Sequence, residues 1–291
     1  MNIHIMINNL WKKCKTPISK PSSDNFTNAL QSMLKKSCSL CSFTPKPQTI
    51  KLVSCTCINI KHPPESQETP NTKNQSSDSI TKTLNAQEET KQDTDDYFLQ
   101  LIKAQVQLAN KIDVELLENE IKNRKISLLE VPTRKVIIFD LDETLILNTE
   151  NGVILRPYLD ILLENLSLLF DLWVWSASDV HYVRKIVSLL DPYGIYITKL
   201  LDVSYCIEIG GMLVKDIRIF SNADVDNMAL VDNYLFSFIG SINNGVLVQS
   251  FNGCMEDCEL KQLCEFLVHI ASYYTMKEAL KENLNLSSYF I

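Results

Sequence analysis

The chain has 291 residues, enough for one mid-sized globular domain with appendages, and its composition is that of an ordinary soluble protein. The net charge of −7 hides an asymmetry: residues 1–62 carry nine Lys, no Arg and a single acid, Asp24, while residues 132–291 carry 11 basic and 21 acidic side chains. An acidic body repels polyanions, which argues against direct nucleic-acid binding by the C-terminal part and leaves any such contact to the basic front. No run of about 18 apolar residues occurs, so no transmembrane segment is expected. In the first ten residues the positive charge follows the apolar stretch, unlike a secretory signal, and Arg is missing, unlike a mitochondrial presequence. Nine cysteines, an odd number, then fit reduced thiols in the nucleus or cytoplasm.

Three regions follow from composition. Residues 1–94 are expected to be a low-complexity, disordered N-terminal region. Pro63 to Asp95 is dominated by polar and charged residues and cannot bury enough surface to offset ordering entropy. Cys38, Cys41, Cys55 and Cys57 resemble a four-thiolate zinc set, but the second pair has one spacer residue where zinc ribbons usually have two or more; loose thiols fit better. Residues 95–131 read as a helical lead-in, with Phe98, Leu101, Ile102, Val106, Leu108 and Ala109 at helical spacing and a second helix over about 113–122. No chemistry is assigned to it, although a regulatory partner could dock through residues 1–131.

From Pro132 onward the pattern is that of a folded domain, 132–291. Lys135 to Asp140 is a buried β-branched strand. Arg156-Pro157 is expected to open a helix, with Pro in the first turn, along the stripe Leu159, Leu162, Leu163, Leu166 and Leu169. Leu172 to Trp175 is a second strand. Ser178 is expected to cap a helix running to about Leu190. Residues 205–214 form a small hairpin, Met228 to Val231 a third strand, Gly245 to Val248 a fourth, and 256–274 and 276–284 a last pair of helices. Strands alternating with helices predict an α/β fold with a doubly wound parallel sheet.

In such a sheet, ligands bind beyond the carboxyl ends of the strands. Asp140 and Asp142 follow the first strand, Ser176 the second, and Asp232-Asn233 the third, with Lys215 nearby. Three acids at neighbouring strand ends repel one another unless a cation sits among them. Mg²⁺, which prefers oxygen ligands, resolves the repulsion. A carboxylate can attack phosphorus, a second acid can protonate the leaving oxygen, and a hydroxyl with a Lys can hold the phosphoryl oxygens.

The run Phe139-Asp140-Leu141-Asp142-Glu143-Thr144-Leu145 resembles the DxDx[T/V] motif of the haloacid dehalogenase superfamily. With Arg156-Pro157, Trp175-Ser176-Ala177-Ser178, Val214-Lys215-Asp216, Val231-Asp232-Asn233 and the closing Ser250 to Leu260, the chain is similar to phosphatases of the RNA polymerase II C-terminal repeat and their Dullard-related relatives over about residues 133–275. The resemblance implies a Rossmann-like sheet with a small hairpin insertion and no large cap. It implies an Mg²⁺-dependent phosphoprotein phosphatase acting through an aspartyl-phosphate, the polymerase repeat being one candidate substrate. Carried onto this sequence, Asp140 is nucleophile and metal ligand. Asp142 is general acid/base, with its carbonyl on the metal. Thr144 supports the loop, Ser176 and Lys215 bind phosphate, and Asp232 and Asn233 complete the metal site.

Two departures bear on the substrate. Residues 146–155 form a short link where relatives carry a longer flap, and Val203 to Tyr205 stand where relatives place an Arg ahead of the Cys. Ser176 lies 36 positions after Asp140, and 38 residues separate it from Lys215, too few in either case for a lid over a small metabolite. A phosphorylated protein is therefore the expected substrate. The competing readings are a binding module like the presequence receptors of mitochondrial import, or a phosphatase of a lipid or small ester. His181 is read as a helix-surface histidine, Trp173 and Trp175 as core and rim packing, and Cys206, Cys254, Cys258 and Cys264 as buried or helical positions.

Overall fold

The computed structural model describes Gln100, residues 103–107 and residues 109–290. The expectations for residues 1–94, the cysteine cluster among them, lie outside the described residues. In the lead-in, residues 103–107 and Ala109 are helical. Helix α1 then spans Val114–Asn123, where Asp113 caps the N-terminus by accepting from the Leu116 amide at 2.9 Å and Leu117 and Ile121 form the buried face.

The centre is a five-stranded sheet built from β1 (Val136–Phe139), β4 (Asp171–Trp175), β5 (Ile197–Leu201), β8 (Met228–Asp232) and β9 (Gly245–Leu247), in the order β5-β4-β1-β8-β9. All its pairings are parallel. Every residue of β1 and of β8 is buried, which is why both read as unbroken apolar runs without alternation. Successive strands leave β1 first on one side, to β4 and β5, and then on the other, to β8 and β9. The direction thus reverses at β1, and a crevice opens past the carboxyl ends of β4, β1 and β8. Helices α2 (Leu159–Ser167), α3 (Val180–Leu190), α4 (Glu259–Ile270) and α5 (Met276–Asn283) flank the sheet, α2 packing on α4 and α3 on β5. Trp173 and Trp175 are buried and set their rings 5.9 and 5.8 Å from that of Phe220, as core packing requires.

Two antiparallel hairpins interrupt the alternation, β2 (Ile146–Thr149) with β3 (Gly152–Leu155), and β6 (Ile207–Ile209) with β7 (Met212–Val214). The second was expected; the first occupies the stretch read as a short link. Neither is large enough to be a cap.

Several boundaries differ from expectation. Pro157 stands ahead of α2, which begins at Leu159 after Tyr158 in the left-handed region at φ 67°. The buried Arg156 is anchored to Asp257 by two hydrogen bonds of 3.1 and 2.9 Å, so the chain turns there before it can coil. Asp179, not Ser178, caps α3, accepting from the amides of His181 and Tyr182. Strand β5 was not anticipated: an edge strand half-buried on one face carries little apolar signal. The 3₁₀ segment Leu235–Asn244, kinked at Phe238 and Ser241, joins β8 to β9. Cys206 and Cys264 are buried, whereas Cys254 and Cys258 are exposed, Cys258 at the N-cap of α4, so the expected burial or helical placement fails only at Cys254. His181 lies on the helix surface as read.

Candidate active site

Asp140 follows β1 and extends its pairing, its amide donating to the Val231 carbonyl at 2.9 Å. The turn behind it is tight. The Leu141 carbonyl accepts from the amides of Thr144, Leu145 and Ile146, and Glu143 takes a left-handed φ of 57°. A non-glycine residue at such φ is uncommon and is held there by its surroundings. Here Glu143 is fixed from both sides, its amide donating to the Ile146 carbonyl at 2.7 Å and its carbonyl accepting from the Phe251 amide at 2.6 Å. The Arg156 guanidinium, stacked 5.4 Å from the centre of the Phe251 ring, donates to the Thr144 carbonyl at 3.0 Å.

Lys215 follows β7 and reaches into the crevice. Its ammonium donates to Oδ1 of Asp140 at 2.5 Å and to Oδ2 of Asp232 at 2.8 Å, and all three side chains are nearly or fully buried. Burial opposes the charged form of Lys215, but the carboxylates of Asp140 and Asp232 outweigh it and hold its pKa above the ordinary lysine value. Asp232 is pushed above the usual carboxylate range by burial, with the Lys215 ammonium opposing and the Asp140 charge adding to the shift. A lone ammonium facing two carboxylates remains charged; the carboxylates share one counter-ion.

Asp142 is half-buried, and Tyr182 of α3 donates a short hydrogen bond to its Oδ1. Burial raises the Asp142 pKa; the Tyr182 hydroxyl opposes this, and the charge of Asp140 reinforces it. Burial and Asp142 also raise the Tyr182 phenol, so the proton of that bond stays with Tyr182. Tyr182 was not singled out in the sequence. One signal was available: its place in the first turn of the helix that follows the Ser176 strand end.

Asn233 sits where the loops meet. Its amide nitrogen donates to Ser250 Oγ at 2.9 Å and to Glu143 Oε2 at 3.3 Å, and its amide oxygen accepts from Thr144 Oγ1 at 3.3 Å. Ser176 is buried at the end of β4, and its Oγ accepts from the Ser178 amide at 3.1 Å. Asp140, Asp142, Asp232, Asn233, Ser176 and Lys215 thus stand together at the carboxyl ends of β1, β4 and β8 and beside β7. Among the described residues no three His, Cys, Asp or Glu side chains converge to hold a metal. Two carboxylates, those of Asp140 and Asp232, come together on Lys215, and the further donors would be the Asn233 amide oxygen and the Asp142 main-chain carbonyl. All of these are oxygens, with no thiol or imidazole among them, so the set fits a hard cation and not a soft one.

Residues 135–277 match the family described as NLI interacting factor-like phosphatase. This segment is a domain of that family. The "CTD small phosphatase-like protein 3" of Caenorhabditis elegans is 29% identical over 163 residues, 48% of this chain and 56% of that protein. "Phosphatase Herzog" of Drosophila melanogaster is 27% identical over 166 residues, 49% of this chain and 47% of its own. The "CTD small phosphatase-like protein" of Homo sapiens is 29% identical over 153 residues, covering 46% and 55%. The chain therefore spans about half the length of the curated relatives it matches. Among solved structures, that of Fcp1, an essential RNA polymerase II CTD phosphatase, aligns over 59% of this chain and 55% of its own at 16% identity and a TM-score of 0.32. Within the phosphatase-family domain, every residue placed above in the crevice falls inside the matched segment.

Proposed function

We propose that residues 132–291 are a Mg²⁺-dependent phosphatase of phosphoserine and phosphothreonine in proteins, working through an aspartyl-phosphate on Asp140. The observation that carries this reading is the buried Lys215 held between Asp140 and Asp232 at 2.5 and 2.8 Å. A carboxylate with a fixed cation against one oxygen suits attack on a dianionic phosphate.

The chain's residues divide the work. Asp140 attacks phosphorus and forms the new P–O bond as the bond to the serine or threonine oxygen breaks. Asp142, whose carboxyl pKa is raised by burial, gives a proton to that leaving oxygen. It then takes a proton from the water that attacks the phosphorylated Asp140, releasing phosphate and restoring the carboxylate. Lys215 and the Ser176 hydroxyl hold phosphoryl oxygens, and Asp232 keeps Lys215 in place. Asp140, the Asp142 carbonyl, Asp232 and Asn233 would hold the cation, which would neutralise charge on phosphate and nucleophile.

Substrate class follows from openness. The insertions beside the site are two small hairpins, so a metabolite would remain wet while a peptide can extend along their surfaces. The acidic body disfavours strongly acidic peptides, an effect that salt weakens. The polymerase repeat appears in the names of relatives, and the short β2–β3 hairpin with Val203–Tyr205 in place of an Arg gives no support for it here. Among the described residues no helix is long and apolar enough to cross a membrane, and action in the nucleus or cytoplasm is part of the same proposal.

The test is turnover of an aryl phosphate and of a phosphopeptide panel with Mg²⁺, beside EDTA-treated enzyme and Asp140→Asn. Turnover is expected to stop in both controls with the thermal midpoint preserved. Asp140→Asn retaining more than about a tenth of the rate, a loss below about 1.4 kcal/mol of barrier, would remove Asp140 as nucleophile. Undiminished turnover after metal removal would remove the cation.

A further inference from the structure

The family match begins at residue 135, yet a dense set of contacts reaches the site from residues ahead of it. The β6–β7 hairpin consists of two three-residue strands in a sheet of their own, unpaired with the five-stranded sheet. A hairpin this small is marginal by itself and needs packing or outside hydrogen bonds. Lys215 directly follows β7, so slack in the hairpin becomes slack in the ammonium that meets Asp140. Strand β1, by contrast, is locked between β4 and β8.

Residues 105–128 supply the missing partners. The apolar face of α1, Leu117 and Ile121, is buried where the helix packs against β6 and Ile217–Ile219. At its C-terminal end, Arg124 donates from Nη1 to the Cys206 carbonyl and from Nη2 to the Ser204 carbonyl, each at 2.5 Å. Lys125 Nζ donates to the Arg218 carbonyl at 2.6 Å. The Ile126 amide donates to the Ile219 carbonyl and the Ser221 amide to the Ile126 carbonyl, both at 2.8 Å. Asn222 exchanges two hydrogen bonds with the main chain of Leu128, at 2.8 and 2.9 Å.

Two further links end beside the chemistry. Glu118 of α1 pairs with Arg218 at 2.7 Å, and Arg218 holds the fully buried Asp216, the residue after Lys215, at 2.7 Å. Gln105 Oε1 accepts from the buried Leu235 amide at 2.7 Å, two residues beyond Asn233.

We infer that residues 105–128 are a positioning brace for the phosphate-binding half of the site, fixing the loop that carries Lys215 relative to Asp140 and Asp232. The effect on turnover rests on the phosphatase reading; the bracing of the loop does not. Arg124 and Glu118 act through the segment that carries Lys215, and Gln105 through Leu235 in the loop after Asn233; none of the three touches substrate, so they are positioning residues. The bracing groups are main-chain carbonyls, amides and one ion pair on a segment with no place in the main sheet. Their loss should therefore loosen that segment selectively.

The experiment uses the full chain with Arg124→Ala, Arg124→Lys, Gln105→Ala and, as control, Lys122→Ala, an exposed position of the same helix. Amide hydrogen exchange is followed in residues 204–238 and in β1, together with kcat and KM for an aryl phosphate. Arg124→Ala is expected to speed exchange in 204–222 by tenfold or more, about 1.4 kcal/mol of local opening, while β1 stays protected. The value of kcat is expected to fall by about the same factor while KM changes less than about twofold, Arg124→Lys recovering part and Lys122→Ala changing neither. Gln105→Ala should expose the Leu235 amide in the same selective way, and it carries the test if Arg124→Ala does not fold. Exchange in 204–238 equal to the wild type overturns the inference. So does acceleration shared equally by β1, which would mean general destabilisation, or an unchanged kcat in a loosened loop. A wild-type chain that hydrolyses nothing would sink the phosphatase reading, and the exchange pattern would then decide the brace by itself.

Discussion

Tyr182 donates a short hydrogen bond to Asp142, so the orientation of the proposed acid/base depends on a side chain from another element. A hydrogen bond to a charged group contributes about 1.5–3 kcal/mol, and Tyr182→Phe should lower kcat by about tenfold with little change in KM. Steady-state kinetics of the variant check it; a KM effect alone would make Tyr182 a substrate contact instead. A second residue-scale consequence lies away from the crevice. Burial pushes the Glu259 carboxyl up to about 7; the Arg156 charge and the Gln249 amide oppose the shift, and Asp257 adds to it. Its folded pKa is above its unfolded value, so Glu259 contributes stability that is full below about pH 4.5 and is lost as pH rises through about 7. Unfolding free energy should therefore carry a falling component of up to about 1.4 kcal/mol per pH unit across that window. Glu259→Gln should flatten it, which denaturant titrations at several pH values would show; an identical slope in both proteins would remove Glu259 as its source.

At the scale of elements, the departures from expectation have local causes. The β2–β3 hairpin carries its own signal in Asn151-Gly152, with Gly152 at φ 126°, but its strands alternate too weakly to stand out in a ten-residue stretch. The start of α2 was displaced by the long-range pair Arg156–Asp257, which no local pattern reports. The turn Ile217–Ile219 and the kinked segment Leu235–Asn244 meet at Gly240, where a Cβ would come within 1.9 Å of Asp216 Oδ2 and 2.6 Å of Arg218 Nη2. Asp216 is pinned there by Arg218 and by Ser241 Oγ at 2.9 Å and cannot yield cheaply. Gly240→Ala should cost about 1–3 kcal/mol, lowering Tm by roughly 2–4 °C per kcal/mol. Thermal unfolding measures this, and an unchanged Tm would mean that the segment has room to shift.

For the whole molecule, the divisions 1–94, 95–131 and 132–291 become a statement about what the chemistry needs. Residues 63–94 carry almost no apolar side chains and no candidate site residue lies in 1–94, so a chain starting at residue 95 should keep kcat/KM within about twofold of the full chain. A chain starting at 132 would lose Gln105, Glu118 and Arg124, and with them the hydrogen bonds to Leu235, Arg218, Ser204 and Cys206. Its turnover should fall well below that of the 95–291 chain. Equal activity of the two truncations would show that the domain ends where the family match does.

The sequence by itself determined the parallel sheet and where its candidate site residues would fall. Buried parallel strands are continuous apolar runs, and the groups just past them, Asp140, Asp142, Ser176, Asp232 and Asn233, must lie at one edge of the sheet whatever the loops do. Lys215 came with its motif. The partners of these groups were decided only by the tertiary structure: Tyr182 on Asp142, Arg156 on Asp257, and the lead-in on the β6–β7 hairpin. Each joins residues 40 or more positions apart through directional bonds. Apolar periodicity records which face of an element is buried. It holds no record of which distant side chain will satisfy a given oxygen, because that depends on how the elements are stacked.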